Sequence, residues 1–380
     1  MKTLLCIILV FVPNGLAQKP SLGCNQELGD VTPGDFKQVD IIIDDPFAGP
    51  VERNFLIRIP RGFDNKVALP LVFGAHGFGG SNSAMVYGDF AKLAKERDDF
   101  ILVYPDGMHD TIDDSKGGSW NVSKTVGPLG PMCDLPRSKP VHCHESCPNC
   151  DPVNSCDWTT CTDDVKFIEI IQNVITDQWC VDLEQMHFYG FSNGGMFTWQ
   201  VASTGLDGLG FATFYSISGT QPFGFGSPPE QINFSIFDMH GLLDQLVPSN
   251  AAASDGPGPN GGIIAKSSRF IFKEKQVFLE DWAQAMNCEM EESYETKYDG
   301  VNGFWCYKRS CGIHDIVRCE GDWGHQIPDV EIKTGPADLV FEFMLSHPRK
   351  INFSAFFHPF SGFKVSNNDL TRRILLPFQF

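Results

Sequence analysis

Beyond its first seventeen residues the chain has no apolar run long enough to cross a bilayer, so no membrane-spanning helix is expected. It is short of positive charge, with 29 Lys and Arg against 47 Asp and Glu and a net charge of −18. A surface of that sign repels phosphate backbones and other anionic polymers, which argues against nucleic acid as a partner. Internal repeats and an interdomain linker are both missing, so a solenoid or a string of modules is not expected. No EF-hand spacing occurs. Asp106, Asp110, Asp113 and Asp114 are close together, but without that spacing they read as solvated acids.

What is present starts at the N-terminus. Lys2 precedes the apolar run Leu4 to Val12, a breaker at Pro13, and the small-residue stretch Gly15-Leu16-Ala17. This is the pattern of a secretory signal, so residues 1–17 are set aside and a mature chain is expected from about Gln18. Of 13 cysteines, Cys6 lies in that segment. The remaining even number, in an exported chain, predicts disulfides. The stretch His142-Cys143-His144-Glu145-Ser146-Cys147-Pro148-Asn149-Cys150 contains zinc-ligand residue types, but an oxidising compartment favours disulfides, and no metal or cofactor is expected. Asn121, Asn233 and Asn352 each head an Asn-x-Ser acceptor for glycosylation, in agreement with export.

Strand and helix patterns alternate. Leu69–Ala75 (LPLVFGA) and 100–104 (FILVY) are continuous apolar runs, as expected of strands buried on both faces. Helical composition follows at 83–97. In 163–175, Val165, Ile168, Ile171 and Ile175 fall on one helical face. Further strands are expected at 36–43, 54–59, 186–189, 211–217 and 236–240, and further helices at 194–203, 276–286 and 337–345. Buried strands interleaved with helices predict an α/β fold with a mostly parallel sheet. The body is read as one domain over 18–348. About 107–162 form a Gly-, Pro-, Asp- and Cys-rich insertion. The tail 349–380 holds seven phenylalanines, five basic residues and one acid, and is read as packing back on an acidic body.

The chemistry centres on Gly190-Phe191-Ser192-Asn193-Gly194-Gly195. A free serine is a poor nucleophile and needs a base, a group to orient that base, and donors for the oxyanion. A G-x-S-x-G turn between a strand and a helix stands the hydroxyl clear, and its small residues allow the backbones to crowd. After the strand LPLVFGA comes His76-Gly77-Phe78-Gly79-Gly80, whose backbone suits a second oxyanion donor. Phe78 N–H is the first choice there, beside Asn193 N–H; His76 is read as fixing the loop. In IFDMHGLLDQLVP, Asp244 falls beyond the strand's carboxyl end and is the expected acid, whereas His240 is read as shaping the turn. His325 lies between turn residues before the last helix and is the expected base. The order Ser192, Asp244, His325 is that of the α/β-hydrolases and not of the other serine hydrolases.

These residues carry a resemblance. His76-Gly77-x-Gly79-Gly80, Tyr104-Pro105-Asp106-Gly107, Ser119-Trp120-Asn121, Asp163-Asp164-Val165-x-Phe167-Ile168, Gly190-x-Ser192-Asn193-Gly194-Gly195-Met196, His240-Gly241-x-x-Asp244-x-x-Val247-Pro248 and Gly324-His325-x-x-Pro328 occur in order. The chain thereby resembles the secreted esterases grouped with polyhydroxybutyrate depolymerases and feruloyl or acetylxylan esterases. The resemblance implies an α/β-hydrolase fold, cleavage of carboxylic esters, and Ser192, Asp244 and His325 as the triad. It implies an ester substrate, monomeric or polymeric, as partner. The chain departs from the pattern at Ile327, where the family usually has tryptophan, in the expanded segment from Gly107 to Cys161, and in its Phe-rich tail. A serine peptidase of prolyl-oligopeptidase type shares the serine motif, but usually carries a large extra domain. A binding protein on a hydrolase scaffold is the alternative from another class.

Overall fold

A computed structural model describes residues 18–29, 31–46, 49–110, 117–122, 144–146, 159–204, 208–223, 225, 227–229, 232–258, 261–267, 270–294, 304–327 and 336–350. The signal segment, Asn352, nearly all of the tail and most of the Cys-rich insertion lie outside them.

The first half contributes β1 (Phe36–Asp45), β2 (Gly49–Arg58), β3 (Leu69–Ala75), α1 (Asn82–Met85), α2 (Asp89–Arg97), β4 (Ile101–Pro105), β5 (Met108–His109), β6 (Gly118–Ser119) and α3 (Asp164–Gln178). The second half contributes β7 (Val181–Phe191), α4 (Asn193–Ala202), β8 (Thr213–Ile217), β9 (Ser235–Gly241), β10 (Ile263–Ile264), β11 (Ile271–Phe272), α5 (Lys275–Ala285), β12 (Ser293–Tyr294), β13 (Phe304–Cys311), β14 (His314–Gly321) and α6 (Ala337–Ser346). Among the described residues, the main sheet runs β1-β2-β4-β3-β7-β8-β9-β14-β13-β12. Its centre, from β4 through β14, is parallel, and antiparallel pairs close both edges. This is the α/β-hydrolase fold: a large, mostly parallel sheet with helices on both faces.

The continuous apolar runs make sense in this sheet because both of its faces are covered. Successive strand residues point to opposite sides. Leu71 and Phe73, Val103, Phe188, Phe214 and Ile236 join one core, with Phe167 of α3, Phe197 and Trp199 of α4, and Trp282 of α5. Val72, Leu102, Tyr189, Tyr215 and Phe237 join the other, with Phe90 of α2 and Phe341 of α6. The expected helix at 163–175 is α3, capped by the Asp163 carboxylate, which accepts from Lys166 N–H (2.9 Å). The helical composition of 83–97 divides into two helices, α1 and α2, with Val86 as the C-cap of the first and Gly88 as the N-cap of the second.

The β13–β14 hairpin has no counterpart in the sequence reading. Charged residues on its half-buried face interrupt the alternation on which strand recognition depends. Gly312, at φ 74°, sits in the two-residue loop closed by the Cys311–His314 pair, and a glycine there is the signal that could have marked it. Cysteines staple the same region, through Cys306–Cys319 between register partners and Cys288–Cys311. Cys24–Cys180 ties the N-terminal segment to the start of β7. No helix among the described residues is long and apolar enough to cross a membrane.

The buried carboxylate of Asp164 is matched closely. Asp164 accepts from Arg53 Nη1 (2.7 Å), Asn121 N–H (2.6 Å) and the Thr160 hydroxyl (2.9 Å), and Arg53 Nη2 also donates to the Asp106 carbonyl (2.9 Å). Those contacts tie the 119–121 loop to α3 and β2. Asn121 is itself buried, its amide donating to the Thr162 carbonyl (2.9 Å), whereas Asn233 is exposed.

His187 of β7 is enclosed between Thr213 Oγ1 (2.9 Å) and Gln185 Oε1 (3.0 Å). Burial, with a smaller contribution from His347, pushes its pKa down to about 3 from 6.5. The unfolded chain therefore binds a proton that the folded one refuses. The stability this withholds is complete above the unfolded pKa and is lost as pH falls from 6.5 towards 3. The slope is about 1.4 kcal/mol per pH unit. Chemical denaturation of wild type and His187→Gln between pH 7 and 4 is expected to give a shallower acid slope for the variant. Equal slopes would count against this assignment.

Candidate active site

The candidate residues meet at one rim of the sheet because each follows the carboxyl end of a parallel strand. His76-Gly77-Phe78 follows β3, Ser192 follows β7, Asp244 lies just past β9, and His325 lies just past β14. Ser192 has φ 56° and ψ −119°, a conformation that L-residues rarely adopt, between the end of β7 and the start of α4. Its own N–H donates to the Ile217 carbonyl (2.8 Å), and its carbonyl accepts from Met196 N–H (2.8 Å). The flanking glycines are required by contact. A Cβ built on Gly190 would lie 2.1 Å from the Gly194 oxygen, and one on Gly194 would lie 2.3 Å from the Ala75 oxygen.

The three side chains form a chain of hydrogen bonds. His325 Nδ1 lies 2.7 Å from Asp244 Oδ2, and His325 Nε2 lies 2.7 Å from Ser192 Oγ. A carboxylate only accepts, so Nδ1 carries the proton and Nε2 is left to accept from the serine. Asp244 Oδ1 takes two backbone N–H groups, from Leu246 and Val247, both at 2.9 Å. Burial of the carboxyl works to raise its pKa, but hydrogen bonds from His240 and His325 outweigh it and hold the group well below the usual carboxylate range. Asp244 is thus an anion held by three hydrogen bonds, from Leu246, Val247 and His325, with His240 Nε2 a further 3.2 Å from Oδ2.

Gly77 packs on the elbow; a Cβ there would lie 3.4 Å from Ser192 Cβ. The loop it belongs to is held by His76, as expected. Gly107 N–H donates to His76 Nε2 (2.8 Å), so the ring is neutral and Nδ1–H donates to the Gly77 carbonyl (2.8 Å). Burial pushes the His76 pKa down, consistent with that neutral form. Trp120 Nε1–H donates to the His76 carbonyl (2.9 Å), and the indole stacks on Phe197 of α4. The Asn193 side chain does not face the reacting group: its Oδ1 accepts from Trp120 N–H (3.0 Å). Asn193 thereby joins the elbow to the Trp120 loop, a role its place in the motif did not suggest. Trp120 thus bridges the His76 loop and the elbow.

Asp238, within β9, is buried and pairs with Lys275 Nζ (2.8 Å). His240 does more than shape the turn: its Nε2 lies 2.7 Å from the Val247 carbonyl and 3.2 Å from Asp244 Oδ2. On the outer side, the Phe191 ring lies 5.3 Å from the His325 ring, and Leu243 and Ile327 are exposed at 58% and 39%. No group of three or more His, Cys, Asp or Glu among the described residues could hold a metal ion.

Strand order and the strand–turn–helix elbow define the α/β-hydrolase fold. No family model matches the chain. It is similar to esterases of this fold. Feruloyl esterase B of Piromyces equi is 23% identical over 253 residues, covering 64% of this chain and 37% of that protein. The chain thus spans little more than a third of that relative's length. Among solved structures, an acetyl xylan esterase from Aspergillus awamori matches with TM-score 0.49 and 14% identity, over 82% of this chain and 99% of that one. A ferulic acid esterase matches with TM-score 0.40 and 13% identity, over 82% and 98%.

Proposed function

We propose that the protein is a secreted serine hydrolase of carboxylic esters. The observation that carries this reading is the unbroken path Ser192 Oγ–His325–Asp244, with both contacts at 2.7 Å, at the tip of a strained elbow. His325 Nε2 takes the serine proton as Oγ bonds to the ester carbonyl carbon, and Asp244 stabilises the imidazolium. The Asn193 and Phe78 N–H groups serve the oxyanion; one such donor is worth about 3 kcal/mol in the transition state. The C–O bond to the alcohol breaks as His325 returns the proton to it. Water then attacks the acyl-enzyme by the same route, releasing the acid and restoring the serine. No cofactor enters these steps. Export is supported by the disulfides and by the N-terminal signal pattern. The substrate class is feruloyl or acetyl esters of polysaccharides or hydroxyalkanoate polyesters, in keeping with the motifs and the feruloyl esterase relative.

A fluorophosphonate probe is expected to label the protein once, at Ser192, as read by peptide mass spectrometry. Turnover is expected on methyl ferulate, acetylated xylan or hydroxybutyrate oligomers, with little on aminoacyl amides. Absence of labelling would point to a non-catalytic scaffold, and faster amide than ester cleavage would point to a peptidase.

A further inference from the structure

His240 sits at the end of β9 with 2% of its surface exposed, four residues before Asp244. Its Nε2 faces two atoms that only accept, the Val247 carbonyl oxygen at 2.7 Å and Asp244 Oδ2 at 3.2 Å. Nε2 must therefore carry a proton. Its Nδ1 has no hydrogen-bond partner among the described residues, so the Nε2 contacts alone select the tautomer. The oxygen it approaches is the one that receives His325 Nδ1–H. The acid is thus shared between two imidazoles, only one of which reaches the serine.

We propose that His240 is a positioning residue for the triad: its Nε2–H holds Asp244 Oδ2 and sets how strongly that carboxylate binds His325. The role rests on the triad reading above. Two physical consequences follow. The Val247 carbonyl and the Val247 N–H, which donates to Asp244 Oδ1, are fixed together with the carboxylate, so the acid is locked in plane. A donor on Oδ2 also disperses the charge that His325 would otherwise draw on alone, which weakens the carboxylate's attraction for an imidazolium at 325. The other charged groups around His240 are Asp238, Glu274 and Lys275 on one side and Arg318 and Glu320 on the other, which line a shared cavity of about 260 Å³. Lys275 is paired with Asp238, and Arg318 with Glu320 and Glu292, so the charged group within reach of His240 Nε2 is Asp244.

The test follows the two imidazoles by NMR and the pH profile of kcat/KM. In His240→Leu, the donor on Oδ2 is gone, and the His325 pKa is expected to rise by about half a pH unit or more. The acid limb of kcat/KM should move with it, since that limb reports the free enzyme's base. His240→Gln keeps an N–H at similar reach, and its His325 pKa should stay near the wild-type value. A residue that only supports the fold would change yield or melting temperature and leave that pKa in place. An unchanged His325 pKa in folded His240→Leu overturns the proposal. Should that variant not fold, the wild-type 15N spectrum decides: protonation at Nε2 of His240 supports the proposal, and protonation at Nδ1 alone overturns it. The NMR readouts need no turnover. A shifted His325 pKa in a protein that hydrolyses no ester would sink the esterase reading and leave the coupling intact.

Discussion

Ser192→Ala is expected to lower ester turnover by about 10⁵- to 10⁶-fold, to whatever the oxyanion donors and binding alone provide. The loss is large because every covalent step of the proposed reaction passes through Oγ, and among the described residues no other hydroxyl hydrogen-bonds to His325 Nε2. Folding should be nearly untouched. The hydroxyl makes its recorded hydrogen bond to His325 and none to the α4 N-terminus. Alanine meets the same positive φ with the same Cβ, so the backbone strain is inherited, and a stability change within about 1 kcal/mol is expected. p-Nitrophenyl acetate hydrolysis and urea denaturation on the same preparation check both halves. Retained turnover by a well-folded variant would remove Ser192 from the reaction.

Asp244→Asn is expected to cost about 10⁴-fold in kcat with the fold preserved. The asparagine oxygen can take over Oδ1 and keep the Leu246 and Val247 N–H groups. The NH₂ group then replaces Oδ2 and faces two ring N–H groups, His325 Nδ1 and His240 Nε2, donor against donor. His325 relieves the conflict by moving its proton to Nε2, which leaves it unable to accept from Ser192. The variant should therefore bind substrate normally and fail in the chemical step. A loss below about tenfold would mean that another group orients the base.

Both variants act on residues legible in the primary structure. A glycine-boxed serine between an apolar run and a helical stretch, an Asp beyond a strand end, and a His between turn residues could be ordered without coordinates. The strand runs were equally legible, since a sheet covered on both faces demands unbroken apolar segments. Less was visible where function depends on partners far apart in sequence. Asn193 was read only for its backbone, yet its side chain grips the Trp120 loop 73 residues away. His240 was read as a turn former, and its approach to Asp244 Oδ2 depends on how the 242–247 turn folds back. The β13–β14 hairpin escaped because charge on its half-buried face conceals the period.

The sequence by itself determined an α/β chain with a glycine-boxed serine at a strand–helix turn, followed in order by Asp244 and His325. It did so because strand period, glycine crowding and motif order are local properties. Only the tertiary structure decided that 133 and 81 residues of separation close to hydrogen bonds of 2.7 Å. It also decided that a second imidazole shares the acid, because side-chain geometry at a sheet rim is set by packing between strands.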